Sequence, residues 1–403
     1  MPKRNRLNAR MFSRASDAHL GVAVVAALAV ACAAPAQADD ATVRILTQNV
    51  YEGTNFGEIN AATSPSDFFA AVTTTYQNVL ATNPVERAAA VAGEIVQERP
   101  DFVSLQEAAI LRTGPLGAGP PPSAANVQFD YLQSLMGDLN AQGQHYAIVA
   151  TVPELDAEAP STLGVDVRLT IEDAILVNLN DNAALSNIQV HPYSTYLTNL
   201  TAVGPIPSPR GYAAVDVSLG GAEFRFATTH LEVSQPVQEA QMNELISGVG
   251  GTALPLVMAG DFNANADDSS DPTFATYQAA VDAGFADAWR TAHGADPGYT
   301  CCQAQNLLNA TSSLDQRIDL VLSRGGVGVD DINLIGDSEI DRTPSGLWPS
   351  DHAGLVATLE IPIGSGVVPE PSTWAMMLLG FVGLSVVGLS RMSETRKSRP
   401  RPA

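Results

Sequence analysis

The first clear alternation of apolar and polar positions is VRILTQNVY (Val43 to Tyr51), a strand pattern that brings Asn49 to its end. The period then changes. Asn83 and Pro84 suit an N-cap and first helical residue, Val85, Ala89, Ala92 and Val96 form an apolar stripe, and Pro100 closes the helix. DFVSLQEA follows at once as a short strand that delivers Glu107 at its end. Val127, Tyr131, Leu135 and Leu139 recur at helical spacing, while HYAIVATV (His145 to Val152) and EDAILV (Glu172 to Val177) read as strands. Two segments lack such patterning. The Pro/Gly-rich run 112–125 reads as a loop, and the acidic stretch from Glu154 to Asp166 as a solvated loop, or alternatively a lid.

The second half repeats strand and helix patterns with sharper punctuation. RGYAAVDVSL (Arg210 to Leu219) and AEFRFATTHLE (Ala222 to Glu232) alternate around Gly220 and Gly221, a hairpin signal, and the second strand brings His230 to its end. Ser234, Pro236 and the stripe Val237, Gln241 and Leu245 open a helix. PLVMA (Pro255 to Ala259) is a short buried strand that Gly260 ends. Asp261 and Asn263, two residues apart in an extended segment, would point to one side and converge on a small polar ligand; the same residues also suit a simple turn. Asp271 and Pro272 repeat the cap-and-proline signal. QRIDLVLS (Gln316 to Ser323) places Asp319 in a buried strand, where an unpaired carboxylate would be costly and needs a partner. The last strand, GLVATLEIP, follows the adjacent Asp351 and His352. Strand, helix, strand with polar residues at the strand ends is the pattern of an α/β layer with a site on one rim. No repeat and no clean linker is visible, so residues 39–368 read as one large domain.

Both ends of the chain read as addresses. Residues 1–38 carry Lys3, Arg4, Arg6, Arg10 and Arg14, then GVAVVAALAVACAA, then the small-residue cleavage point APAQA, the order of a secretory signal peptide for signal peptidase. Residues 369–403 begin at Pro369, Glu370 and Pro371, continue as an uncharged apolar segment 373–390 of membrane-spanning length, and end in a basic tail. That order resembles the PEP-CTERM sorting signal of Gram-negative bacteria, which implies exosortase processing after transient anchoring in the membrane; a plain tail anchor is the alternative. The expected location is the cell envelope or extracellular matrix.

Composition changes the picture of the domain between them. Of 403 residues, 45% are hydrophobic, ample for a large core. Residues 39–368 hold no lysine and only eleven arginines against forty acidic residues. Such a field concentrates divalent cations and argues against tight, nonspecific gripping of duplex DNA. It leaves open phosphodiester hydrolysis at a metal site, where one ion reverses the local potential. Cys301 and Cys302 are adjacent and cannot staple distant segments, so a vicinal disulfide and two buried thiols both remain open.

TQN, SLQEA, TTHLE, GDFNA, RIDLVL and SDHAGLVA, in that order, resemble the endonuclease/exonuclease/phosphatase (DNase I-like) family over residues 41 to 362. The resemblance implies an α/β four-layer sandwich of two mixed β-sheets flanked by helices. It implies a metal set of Asn49, Glu107 and Asp351. Asp261 would orient or deprotonate the attacking water, Asn263 would hold a phosphate oxygen, His230 and His352 would face the phosphate, and Asp319 would fix the His352 tautomer. Some nucleases of the family carry an acidic residue two positions after the asparagine, where this chain has Tyr51 followed by Glu52. A cluster rich in oxygen donors favours Mg²⁺, with Mn²⁺ or Ca²⁺ as alternatives. The expected activity is an exported, Mg-dependent phosphoric ester hydrolase acting on phosphodiesters, foremost an extracellular nuclease acting on nucleic acid. A sphingomyelinase-like phospholipid hydrolase, a small-phosphoester hydrolase and a catalytically silent matrix or surface scaffold are the alternatives.

Overall fold

The VRILTQN alternation becomes β1 (Ala41–Asn49), whose Val43 and Ile45 enter one apolar core while Leu46 enters another on the opposite face. A strand buried on both faces belongs in the middle of a sheet. Three helices follow, α1 (Gly57–Ala61), α2 (Pro65–Ala81) and α3 (Pro84–Glu98), then β2 (Phe102–Pro115), β3 (Asn126–Asp130), α4 (Tyr131–Ala141), β4 (Tyr146–Pro160) and β5 (Val165–Asn178). Beyond them come β6 (Ala184–Pro192), β7 (Leu197–Thr201), β8 (Gly204–Ser208), β9 (Gly211–Leu219), β10 (Ala222–His230) and α5 (Val237–Val249). The chain continues through β11 (Leu256–Asp261), α6 (Phe274–Asp282), β12 (Ala286–Asp287), α7 (Ala288–His293), β13 (Asp319–Arg324), β14 (Gly328–Ile335) and β15 (Gly354–Ile361). This computed structural model describes residues 40–117 and 123–364, so the signal-peptide and sorting segments lie outside the described residues. No helix among the described residues is long and apolar enough to cross a membrane.

Hydrogen bonding sorts the strands into two mixed sheets and a separate antiparallel pair, β7-β8. One runs β14-β15-β1-β2-β5-β4, with β3 also on β2; the other runs β12-β13-β11-β10-β9-β6. Within them β1 and β2 are parallel, as are β10 and β11, and their other neighbours are antiparallel. The sheets meet face to face through Val43, Ile45 and Phe102 on one side and Val215, Phe224 and Phe226 on the other. Helices α3 and α4 cover the outer face of the first sheet, and α5 and α6 that of the second. Helix, sheet, sheet, helix is the four-layer sandwich that the family resemblance implied. The hairpin turn is Gly220-Gly221, both at positive φ (61° and 91°), as a tight hairpin requires.

The structure differs from the sequence reading at several elements, each for a physical reason. Val85 is exposed on α3, and the buried face is Arg87, Ala88, Val91, Ala92 and Ile95. An alanine-rich helix offers two apolar stripes, and only packing against α4 and β1 selects one. Asn83 does not cap α3 with its side chain, which donates to Glu86 instead. Val127 belongs to β3, not to the helix, and Arg112–Pro115 continue β2. Glu154–Asp166 is not a loop: β4 and β5 pair from Tyr146 with Asn178 out to Pro160 with Asp166. Backbone pairing in a long ladder carries polar residues that no hydrophobic count would assign to a strand. Of the two states left open for Cys301 and Cys302, the structure pairs them as a vicinal disulfide, which is no departure from the sequence reading.

One buried acid on α3 gives a stability prediction. The Glu94 carboxylate oxygens are sealed from water beside Gln48, although part of the residue's surface is exposed. Burial pushes its pKa up to about 8 from an ordinary 4.5. The folded state therefore holds a proton that the unfolded chain releases, and stability is lost as pH rises through the folded pKa. Glu94→Gln should raise Tm by about 3 °C or more at pH 8 and leave it nearly unchanged at pH 4.5; equal shifts in thermal unfolding at both values would refute this.

Candidate active site at the rim of the two sheets

Strand register does most of the assembly. Parallel pairing of β10 with β11 sets His230 opposite Asp261, and antiparallel pairing of β11 with β13 sets Asp261 opposite Asp319. Three site residues from three separate stretches thus stand abreast at one edge of the second sheet. Gly260 lets the strands approach: a Cβ there would meet the Thr229 carbonyl oxygen at 2.1 Å. It does not end the strand, which runs on through Asp261. The first sheet brings Asn49 beside Gln106, and an irregularity in β2 between Leu105 and Ala108 turns Glu107 out of the ladder at φ 60°. A non-glycine residue held there is strained, and such strain is a feature of functional sites. Ser104 bonds to Thr228 and to the Ala259 carbonyl, joining the two sheets just behind the site.

Asn49 links the two halves. Its amide nitrogen donates to Glu107 Oε1 at 2.9 Å and to Asp261 Oδ2 at 3.1 Å, while its own oxygen accepts from the Tyr51 N–H at 2.9 Å. The Glu52 N–H donates to the other Glu107 oxygen at 3.1 Å. Asp351 shares a cavity wall with Glu107 and Tyr51. Burial raises the Glu107 pKa and lifts that of Asp351 to about 7, each carboxylate adding to the effect on Asp351 or Tyr51 nearby. The Glu107 and Asp351 carboxylates on one cavity wall are hard oxygen donors of the kind a divalent cation takes, and Asn49, whose amide nitrogen faces Glu107 and whose oxygen accepts from Tyr51, would join them by turning its amide over. The loops carrying them are tied by Arg87, which sequence reading missed. This fully buried guanidinium donates to the carbonyls of Thr82, Val50, Tyr51 and Pro349 at 2.6–3.2 Å. Its only sequence signal is an arginine on the apolar side of α3.

Two imidazoles flank Asp261. His352 presents Nδ1 to Asp319 Oδ2 at 2.8 Å, the partner that Asp319 required, and its Nε2 lies 3.9 Å from Asp261 Oδ2. Burial works against charge on His352, but Asp319, with Asp351 and Asp261, outweighs it and the pKa is raised well above the ordinary value. His230 presents Nε2 to Asp261 Oδ2 at 3.5 Å and to Glu107 Oε1 at 3.9 Å. Its Nδ1 faces Glu154 at 3.2 Å and Arg210 at 2.5 Å, and Arg210 in turn bonds Glu154 at 2.6 Å. Burial and Arg210 push the His230 pKa down, yet Glu154 and Asp261 more than offset them and hold it at about 9. Glu154 and the buried Asp173 behind it were also missed by sequence reading. A signal existed: Ala150, Val152 and Glu154 are all buried, so the period-two pattern of β4 carries inward through the glutamate.

Asn263 is placed differently from the sequence expectation. It sits in a left-handed turn at φ 49° rather than in an extended segment, and its own N–H donates to Asp261 Oδ1 at 2.8 Å. One amide N–H is taken by the Leu231 carbonyl at 2.8 Å, which leaves the second as a donor at the rim. Among the residues read from sequence, Asn49, Glu107, His230, Asp261, Asp319, Asp351 and His352 are therefore gathered at one place, with Asn263 adjoining it.

The sequence model of the Endonuclease/Exonuclease/phosphatase family matches residues 46–352. Solved structures share the architecture. One is an endonuclease/exonuclease/phosphatase family protein from Leptotrichia buccalis C-1013-b, with a TM-score of 0.51 at 16% identity over 79% of this chain and 100% of that one. Another is a family protein from Bacteroides thetaiotaomicron, with a TM-score of 0.51 at 14% identity over 80% and 99%. D. rerio TDP2 complexed with single strand DNA product is similar with a TM-score of 0.48 at 16% identity over 80% and 100%. At these identities the likeness is one of fold. No curated protein sequence matches the chain at a significant level.

Proposed function

The chain belongs to the endonuclease/exonuclease/phosphatase family, and from that membership we propose that its rim hydrolyses phosphodiesters with the help of a divalent cation, Mg²⁺ foremost. The observation that carries this reading is the pair of imidazoles aimed at Asp261, each backed at Nδ1 by its own carboxylate, Glu154 or Asp319. Backing of that kind takes the Nδ1 proton in a hydrogen bond, fixes which ring nitrogen faces the site and favours the imidazolium, in which Nε2 carries a proton to donate. A cation held by Asn49, Glu107 and Asp351 would supply charge neutralisation and Lewis acidity toward the phosphoryl group. Asp261 takes the proton of the attacking water. His230, His352 and the free Asn263 N–H donate to phosphoryl oxygens as negative charge gathers on them, a role worth roughly 10² to 10³ in rate for a single donor.

Export is part of the proposal and is supported by the two terminal segments: removal of 1–38 by signal peptidase and exosortase processing within 369–403 would deliver the domain to the envelope or matrix. Nucleic acid is the finer substrate reading from the family resemblance. The arginines weigh against it. Arg87, Arg210, Arg225 and Arg317 are committed inside the fold, and Arg44, Arg168 and Arg290 are paired with Glu98, Asp156 and Asp267. Few remain to neutralise a phosphate backbone.

The test is hydrolysis of bis(p-nitrophenyl) phosphate, single-stranded and duplex DNA, RNA and sphingomyelin by the purified protein. Activity on at least one should disappear with chelator and return with Mg²⁺. Hydrolysis that ignores the chelator, or none on any diester, would sink the proposal.

A further inference from the structure

A cavity of about 550 Å³ opens directly beside the catalytic rim. Glu107, Asp351 and Arg210 stand at its polar end. Away from them the wall turns apolar: Phe68 and Val72 from α2, Leu155 from β4, Val167 and Leu169 from β5, and Ile206 from β8. Glu158, also on the wall, is engaged by the N–H groups of Ser123 and Ala124 and the Ser123 hydroxyl, so its charge is already satisfied. Phe68, Val72, Val167 and Leu169 belong to one apolar cluster, with Leu155 and Ile206 packed against it.

Protein interiors are close-packed, and an apolar cluster left open around a space of this size loses dispersion contacts along its whole lining. The volume falls within the range of small-molecule sites, and such sites combine an apolar wall with a few converging polar groups. Here the converging groups are those of the phosphoester chemistry. A polynucleotide offers charged phosphates and sugars on both sides of the scissile bond and matches this wall poorly.

Resting on the phosphoesterase reading, we propose that the substrate is an amphiphilic phosphodiester, with its phosphate at the Glu107–Asp351 end and an alkyl or acyl group lying along the apolar cleft between α2, β4–β5 and the β7–β8 hairpin. The hairpin supplies one wall through Ile206 and Leu197, so the occupied cleft is closed on that side. The chain length accepted is set by the cleft and not by the reacting atoms.

The experiment uses p-nitrophenyl alkyl phosphodiesters with methyl, butyl and octyl groups, at monomeric concentrations, reading nitrophenolate release with Mg²⁺. The value of kcat/KM should rise about twofold or more per methylene until the cleft is filled, at least tenfold from methyl to octyl. Ile206→Asn and Val72→Ala should each cut the octyl-to-methyl ratio about fivefold while leaving methyl ester turnover unchanged. Equal kcat/KM for methyl and octyl esters, or a ratio indifferent to both variants, overturns the amphiphile assignment and leaves the phosphoesterase reading standing. No hydrolysis of any ester overturns both. Phospholipid vesicles separate the sources: cleavage there as well as of the free octyl ester assigns a membrane lipid, and cleavage of the free ester alone assigns a soluble amphiphile.

Discussion

Glu107→Gln should lower kcat/KM by about 10³ and at the same time raise the thermal stability of the metal-free protein. The two effects have one cause. The glutamate shares a cavity wall with Asp351, whose pKa it helps to raise, and desolvation raises its own pKa despite His230 and Asn49 beside it, so the folded chain holds a carboxylate in surroundings that disfavour its charge. Glutamine keeps the length of the side chain and one acceptor oxygen for Asn49, gives up the second oxygen that accepts from the Glu52 N–H, and removes the charge that a divalent cation requires. Losing about 4 kcal/mol of stabilisation in the transition state corresponds to that thousandfold fall. Metal titration by calorimetry should show weakened Mg²⁺ binding, while thermal unfolding in chelator should show a higher Tm than the parent. Full activity in the variant, or a lower Tm in chelator, would remove Glu107 from the metal set.

That trade of stability for function also explains which parts of the molecule were legible in sequence. The polar residues at strand ends stood out because GDFNA, RIDLVL and SDHA interrupt strongly apolar strands. A reader can see that Asp319 needs a partner, and His352 is the partner. Residues that support the site from within an element are much harder to see. Arg87 looks like one more charged position on a helix until the loops at Val50 and Pro349 are seen to fold over it. Glu154 lies in a stretch whose acidity suggests solvent, and only the ladder to β5 shows that it faces inward. The left-handed turn at Asn263 likewise depends on the Leu231 carbonyl, which belongs to another strand end. Local pattern reports an element's type and its ends; what a buried polar group pairs with is decided across the sheets, by register.

Asp319→Asn should lower kcat by about 10³ to 10⁴, with a larger deficit at pH 8 than at pH 6. Asp319 accepts from His352 Nδ1 at 2.8 Å and so acts through the imidazole, as a positioning residue. An asparagine of the same shape offers either a neutral acceptor or an N–H that clashes with the Nδ1 proton, and a wrong tautomer in a comparable histidine–carboxylate pair costs about 10⁴. The sign of the pH effect follows from the forces on the ring. Burial lowers the His352 pKa, and Asp319 is the largest of the influences that raise it well above its ordinary value. Without that carboxylate, burial is opposed only by the weaker effects of Asp351 and Asp261, so the pKa falls. His352 then gives up at pH 8 the proton it must donate to the phosphoryl oxygen and retains more of it at pH 6. The alkaline limb of the kcat profile should therefore move toward lower pH in the variant. Asp319→Glu, which can restore the carboxylate to Nδ1 by a longer route, should recover part of the rate and return the limb toward the parent position. A uniform loss of rate at every pH, with no movement of the limb, would mean that Asp319 supports the strand and does not set the protonation of His352.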